Sequence, residues 1–101
     1  MLDKEYLLNE IKDIVNTLIK KNTDYGSSFF KNMEKWGMTS FFIRLDDKIG
    51  RLESIERRQK IEVSSESVED TINDIIGYCL LLKHYLNKGF GDENKAQNLQ
   101  L

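Results

Sequence analysis

A chain of 101 residues has room for one domain with a modest core. Fifteen basic against 17 acidic residues leave a net charge of −2, which argues against general nucleic-acid binding, because such binders carry a basic excess. No apolar run reaches the ~18 residues of a membrane span, and the acidic opening MLDKEYLLNE does not fit a signal peptide, so a cytoplasmic location is expected.

The absence of proline permits long unbroken helices. Residues 3–22 read as an amphipathic helix, with Leu7, Leu8, Ile11, Ile14, Val15, Leu18 and Ile19 at spacings of three and four. Asp3 is its expected N-cap. Between Asn22 and Thr39, Gly26 and Gly37 punctuate a segment holding Phe29, Phe30, Met33 and Trp36. A loop, a short helix near 28–35 and a turn are expected there. A second long helix should start from a cap at Thr39 or Ser40 and run to about 61. Phe41 or Phe42, Leu45, Ile49, Leu52 and Ile55 form its inward stripe.

After the polar EVSSES segment, Ser67 is the expected cap of a third long helix, with Asp70 three residues on. That helix should run to about 87 and end at Gly89. Its expected core stripe is Val68, Ile72, Ile75, Cys79, Leu82 and Leu86, with Cys79 a small buried hydrophobe. The run 79–82 is apolar on every side, which suits a position covered all round, at a bundle centre or a subunit interface. The expected fold is all-α: a small bundle of three main helices plus a short one, completed by oligomerisation. Residues 1–90 form its single domain and 91–101 a polar tail.

A lone cysteine and a lone histidine, Cys79 and His84, exclude an internal disulfide and a site rich in either residue. Two polar stripes remain. Arg44, Asp47, Lys48 and Arg51 share one face of the second long helix. Asp70 and Asp74 stand four apart on the third, with Glu66 and Glu69 at its entrance. Arginine forks match phosphate oxygens, and carboxylates hold hydrated Mg²⁺ that also binds ligand phosphates. The same residues also admit surface salt bridges of little energetic value. Tyr25 and Trp36 could stack on a base, or serve as core or interface aromatics. The mid-helix Gly50 and Gly77 suggest close helix contact or ligand approach.

The order Asp24-Tyr25-Gly26, Arg44-Leu45, Asp47-Lys48, Arg51-Leu52, Glu69-Asp70-Thr71, Asp74 and Tyr78 resembles the nucleotide modification associated domain 1 family of bacteriophages and their hosts. That family is distantly similar to the all-α nucleoside triphosphate pyrophosphatases, the MazG and dimeric dUTPase group. These are dimeric or tetrameric helical bundles that cleave between the α and β phosphates with Mg²⁺. The resemblance implies Asp47, Asp70 and Asp74 as catalytic and metal-holding acids, with Mg²⁺ as cofactor. It implies Lys48 and Arg51, assisted by Arg44, as phosphate-binding residues; Tyr25 and Trp36, the stacking candidates read from the residues themselves, complete the nucleotide-binding set.

Two departures stand out. Asp46 and Asp47 are adjacent where the pyrophosphatases carry acids one turn apart, and Thr71 stands where they carry a glutamate. Fewer acids and more bases shift the site from a metal cage toward an anion pocket. The expected function is therefore a phage-type nucleotide-binding protein, as a Mg²⁺-dependent pyrophosphohydrolase. The alternatives are a non-catalytic module that sequesters a nucleotide signal of host antiphage defence, or a helical protein-interaction module. The expected partners are a nucleotide or cyclic nucleotide and further copies of the chain as a dimer or tetramer, with no membrane.

Overall fold

The computed structural model describes residues 1–24, 27–58 and 66–88. Four helices follow in chain order: α1 (Lys4–Asp24), α2 (Ser28–Trp36), α3 (Met38–Arg58) and α4 (Glu66–Lys88). There is no strand among the described residues, so the all-α expectation holds. No described helix is long and apolar enough to cross a membrane.

Asp3 caps α1 as expected: its Oδ1 accepts the backbone N–H groups of Glu5 at 2.9 Å and Tyr6 at 3.4 Å. Helix α2 ends at Gly37, whose φ of 64° suits a residue without Cβ, and whose N–H bonds the Met33 carbonyl at 2.8 Å. The next two starts differ from expectation. Helix α3 begins at Met38, directly after Gly37, and the Ser40 N–H bonds the Gly37 carbonyl at 3.1 Å, so neither Thr39 nor Ser40 is the cap. Helix α4 begins at Glu66, which places Ser67 inside the first turn. The Ser67 carbonyl accepts the Thr71 hydroxyl at 2.8 Å there.

The core lies where α2, α3 and α4 meet. Phe29, Phe30, Met33, Phe41 and Tyr85 are buried together, with Met38, Leu45, Tyr78, Leu81 and Leu82 packed against them. Phe30 lies 5.7 Å edge-on from Phe29 and 6.2 Å from the Tyr85 ring in a stacked arrangement. Of the two phenylalanines that could have turned inward on α3, Phe41 is buried and Phe42 is exposed.

Helix α4 is rotated from its expected phase. Val68 is buried, but so are Thr71 and Tyr85, at 1% and 3% exposure, while Ile72 and Cys79 face outward. The inward face therefore follows 71, 78 and 85, seven apart, rather than the aliphatic stripe. Cys79 is thus not a core residue. The apolar run is not covered on every side either: Cys79 is exposed and Leu80, Leu81 and Leu82 are half-buried.

Helix α1 packs on α4 more sparsely than α3 does. Ile14 is buried, but Leu7, Leu8, Ile11 and Ile19 of the same stripe remain exposed. The expected stop at Gly89, the turn at Tyr25-Gly26 and the tail from 91 lie outside the described residues.

Candidate functional site

The order of contacts sets the site. Arg51 reaches Ser67 near the start of α4, and Lys48 reaches Asp74 further along, so α3 and α4 run antiparallel with matched polar positions. Helix α1 packs on α4 at a separate place, marked by Leu18 Cδ1 at 3.4 Å from where a Gly77 Cβ would stand. Helix α4 is therefore the floor of a cleft walled by α1 and α3, with Ser28 and Phe29 of α2 at its margin. The cleft volume is about 870 Å³.

Helix α3 presents Arg44, Lys48 and Arg51 to this cleft, because spacings of four and three keep them on one stripe. Arg44 has no ion-pair or hydrogen-bond partner among the described residues. Arg51 Nη2 donates to Ser67 Oγ at 3.4 Å. Helix α4 presents Glu69, Asp70 and Asp74, and α1 adds Glu10, Asp13 and Lys21. Cations thus dominate the α3 wall and carboxylates the floor.

Asp74 is the most tightly engaged of these acids. Its Oδ2 lies 3.1 Å from Lys48 Nζ and its Oδ1 3.4 Å from Lys21 Nζ. One carboxylate so joins a lysine from each wall. Thr71 is buried in the floor, and its hydroxyl is turned back to the Ser67 carbonyl, away from any ligand role. The Phe29 and Tyr78 rings stack 6.1 Å apart beside it. On the opposite flank the Tyr6 pKa is raised, first by its hydrogen bond to Glu10, then by the charge of Glu10, desolvation and the charge of Glu69.

The site residues expected from sequence separate accordingly. Arg44, Lys48, Arg51, Asp70 and Asp74 share the cleft. Asp47 is exposed and does not line it. Trp36 is 64% exposed away from the cleft, with Lys35 Nζ 5.6 Å from its ring centre. Tyr25 lies outside the described residues.

Among the described residues no three His, Cys, Asp or Glu side chains converge on one metal position. With Asp47 off the cleft and both Asp74 oxygens facing lysines, Asp47, Asp70 and Asp74 do not form one cluster. The acids as arranged do not fit a preformed Mg²⁺ cage.

Sequence reasoning missed Lys21, Glu10 and Asp13. A signal for two of them existed: Glu10, Ile14, Thr17 and Lys21 follow one another at spacings of four, three and four, which places Glu10 and Lys21 on the helix face of Ile14.

A family model described as nucleotide modification associated domain 1 matches residues 21–82, more than half of the chain. The matched span opens at Lys21 and takes in every cleft residue of α2, α3 and α4. Comparison with curated proteins gives no match, and comparison with solved structures gives none.

Proposed function

The chain belongs to the nucleotide modification associated domain 1 family, and on that premise we infer that its cleft binds a nucleotide by its phosphates. The observation that carries this reading is the cation row Arg44, Lys48, Arg51 along one wall of a cleft of about 870 Å³. That volume falls in the range of small-molecule sites. Guanidinium forks donate paired N–H groups to phosphate oxygens, and a lysine adds a point charge between them. The carboxylates of the floor, Glu69 and Asp70, suit the opposite end of the ligand, where ribose hydroxyls and base N–H groups donate hydrogen bonds.

Resemblance to the all-α pyrophosphatases supplies the reaction to test, release of pyrophosphate with Mg²⁺. The acid arrangement favours the other reading, retention of an intact nucleotide. A metal-held water needs a defined carboxylate set, and the described acids do not converge on one. A dimer or tetramer belongs to the same proposal, because Leu7, Leu8, Ile11 and Ile19 leave an apolar stripe of α1 uncovered. Light scattering reads the assembly.

The deciding experiment incubates the protein, with and without Mg²⁺, with nucleoside triphosphates, deoxynucleotides and cyclic dinucleotides. Mass spectrometry then reads the solution and the protein-retained fraction. An intact nucleotide held by the protein, and held about tenfold or more less tightly after Arg44→Ala or Arg51→Ala, is the expected result. Monophosphate and pyrophosphate formed only with Mg²⁺ would keep the binding site and add hydrolysis to it. A folded protein that neither holds nor consumes any of the panel would overturn the reading and leave a protein-interaction role.

A further inference from the structure

The cleft is not uniformly suited to an anion. Five carboxylates and four cations line it, so a polyphosphate meets repulsion over most of the floor. Among the described residues, cations from both walls converge at one place only, around Asp74. Lys48 comes from α3 and Lys21 from α1, 27 positions earlier in the chain, and the two ammonium groups take one oxygen each of the same carboxylate. Two positive charges on one negative charge leave the trio at +1. Lys48 and Asp74 are only 23% and 30% exposed while Lys21 is half exposed, so the Lys48 side of the trio is the part shielded from water and counter-ions. Arg44, without a partner among the described residues, lines the same wall one turn from Lys48.

We propose that Lys21 completes the phosphate-binding wall, and that Asp74 is the built-in counter-ion which holds Lys21 and Lys48 facing one another until a phosphate group takes its place. The inference rests on the nucleotide-binding reading and deepens it by naming where a phosphate sits. A phosphate carries more charge than a carboxylate and offers three oxygens, so it can engage both lysines and Arg44 together. Asp74 is then a competitor of the phosphate and not a ligand of it, and it holds no metal for it. The role also links occupancy to shape: the pair bridges α1 and α3 across α4, so a phosphate between the lysines draws the two walls together.

The opposite signs of two variants test this. Titration calorimetry in EDTA would follow inorganic tripolyphosphate and ATP binding to the wild-type chain, Asp74→Asn and Lys21→Gln. Removing the competing charge should tighten tripolyphosphate binding by about fivefold in Asp74→Asn, and Lys21→Gln should weaken it by about tenfold. Weaker binding by a folded Asp74→Asn, as a ligand role for Asp74 requires, would overturn the proposal. So would wild-type affinity in Lys21→Gln, which stays decisive should Asp74→Asn not fold. If Arg51→Ala weakens ATP while Lys21→Gln does not, the nucleotide site stands and this inference alone falls. If the wild-type chain binds neither probe, this inference falls, and the nucleotide reading is decided by the wider panel with and without Mg²⁺.

Discussion

The two ends of helix α4 are held by different physics. Toward its C-terminal end, Tyr85 is buried among Phe30, Phe29, Met33 and Phe41, and the geometry is set by close packing. Toward its N-terminal end, Asp74 meets two lysines and Arg51 meets a serine, through partly exposed contacts of 3.1 to 3.4 Å. Packed aromatics have one good arrangement, whereas half-exposed ion pairs have several of similar energy. The aromatic end is therefore the fixed frame, and the polar end is the part that can exchange an internal partner for a ligand.

The largest expected effect falls on the frame. Phe30→Ala removes the ring between Phe29 and Tyr85 and should cost about 3–5 kcal/mol, a large share of the stability of a domain this size. Thermal unfolding should show a midpoint lower by more than about 10 °C. Any loss of nucleotide binding should disappear at a temperature where the variant is folded. A folded variant that still failed to bind would erase the division between the two ends.

Tyr85 sharpens the same point. Its hydroxyl donates to Glu34, and burial, followed by that hydrogen bond and the glutamate charge, pushes its pKa up to about 12. An unfolded tyrosine ionises near 10, so between pH 10 and about 12 the unfolded chain releases a proton that the folded chain retains. Stability from this source is complete below pH 10 and lost as pH rises toward 12. Tyr85→Phe should cost about 1–2 kcal/mol at neutral pH and flatten this alkaline limb. Chemical denaturation at pH 8 and pH 11 measures both effects. At the polar end, by contrast, Lys21→Gln should change stability by less than ~0.5 kcal/mol in the same assay, because Lys21 is half exposed and its pair with Asp74 is long.

The same contrast explains what could be read from the sequence. Some local signals were legible: Asp3 as a cap, Gly37 as a stop, and the cation stripe Arg44, Lys48, Arg51 are properties of a few neighbouring residues, whereas the caps expected at Thr39 or Ser40 and at Ser67 fell inside helices that start earlier. The phase of α4 was not legible. A helix with apolar side chains on nearly every side does not fix its own rotation. The buried face here includes a tyrosine and a threonine, which hydrophobic counting passes over. Lys21 was hidden for another reason. Its partner Asp74 lies 53 residues away, and only the packing of α1 on α4 brings them together. Asp47 is the converse case. It shares a helical face with the cations, yet stands far enough around the helix to miss the cleft.

The two mid-helix glycines of the long helices give the smallest and most discriminating comparison. A Cβ on Gly50 would meet nothing within 4 Å, so this position shows no close approach that requires glycine. Gly50→Ala should then stabilise α3 by about 0.5–1 kcal/mol through helix propensity and reduced freedom of the unfolded chain. Gly77 is different: it is buried, it lines the cleft, and its Cβ would stand 3.4 Å from Leu18 Cδ1, at the contact of α1 with α4. The added methyl fits at ordinary contact distance against Leu18, so the propensity gain is kept and α1 gains a contact with α4. Gly77→Ala should therefore stabilise α4 by a similar ~0.5–1 kcal/mol, while its effect on nucleotide affinity should exceed that of Gly50→Ala, because the methyl stands in the cleft and Gly50 lies off it. Equal affinity of the two variants in ligand titration would mean that the ligand does not reach the floor of the cleft at Gly77, and that it is held by the α3 wall alone.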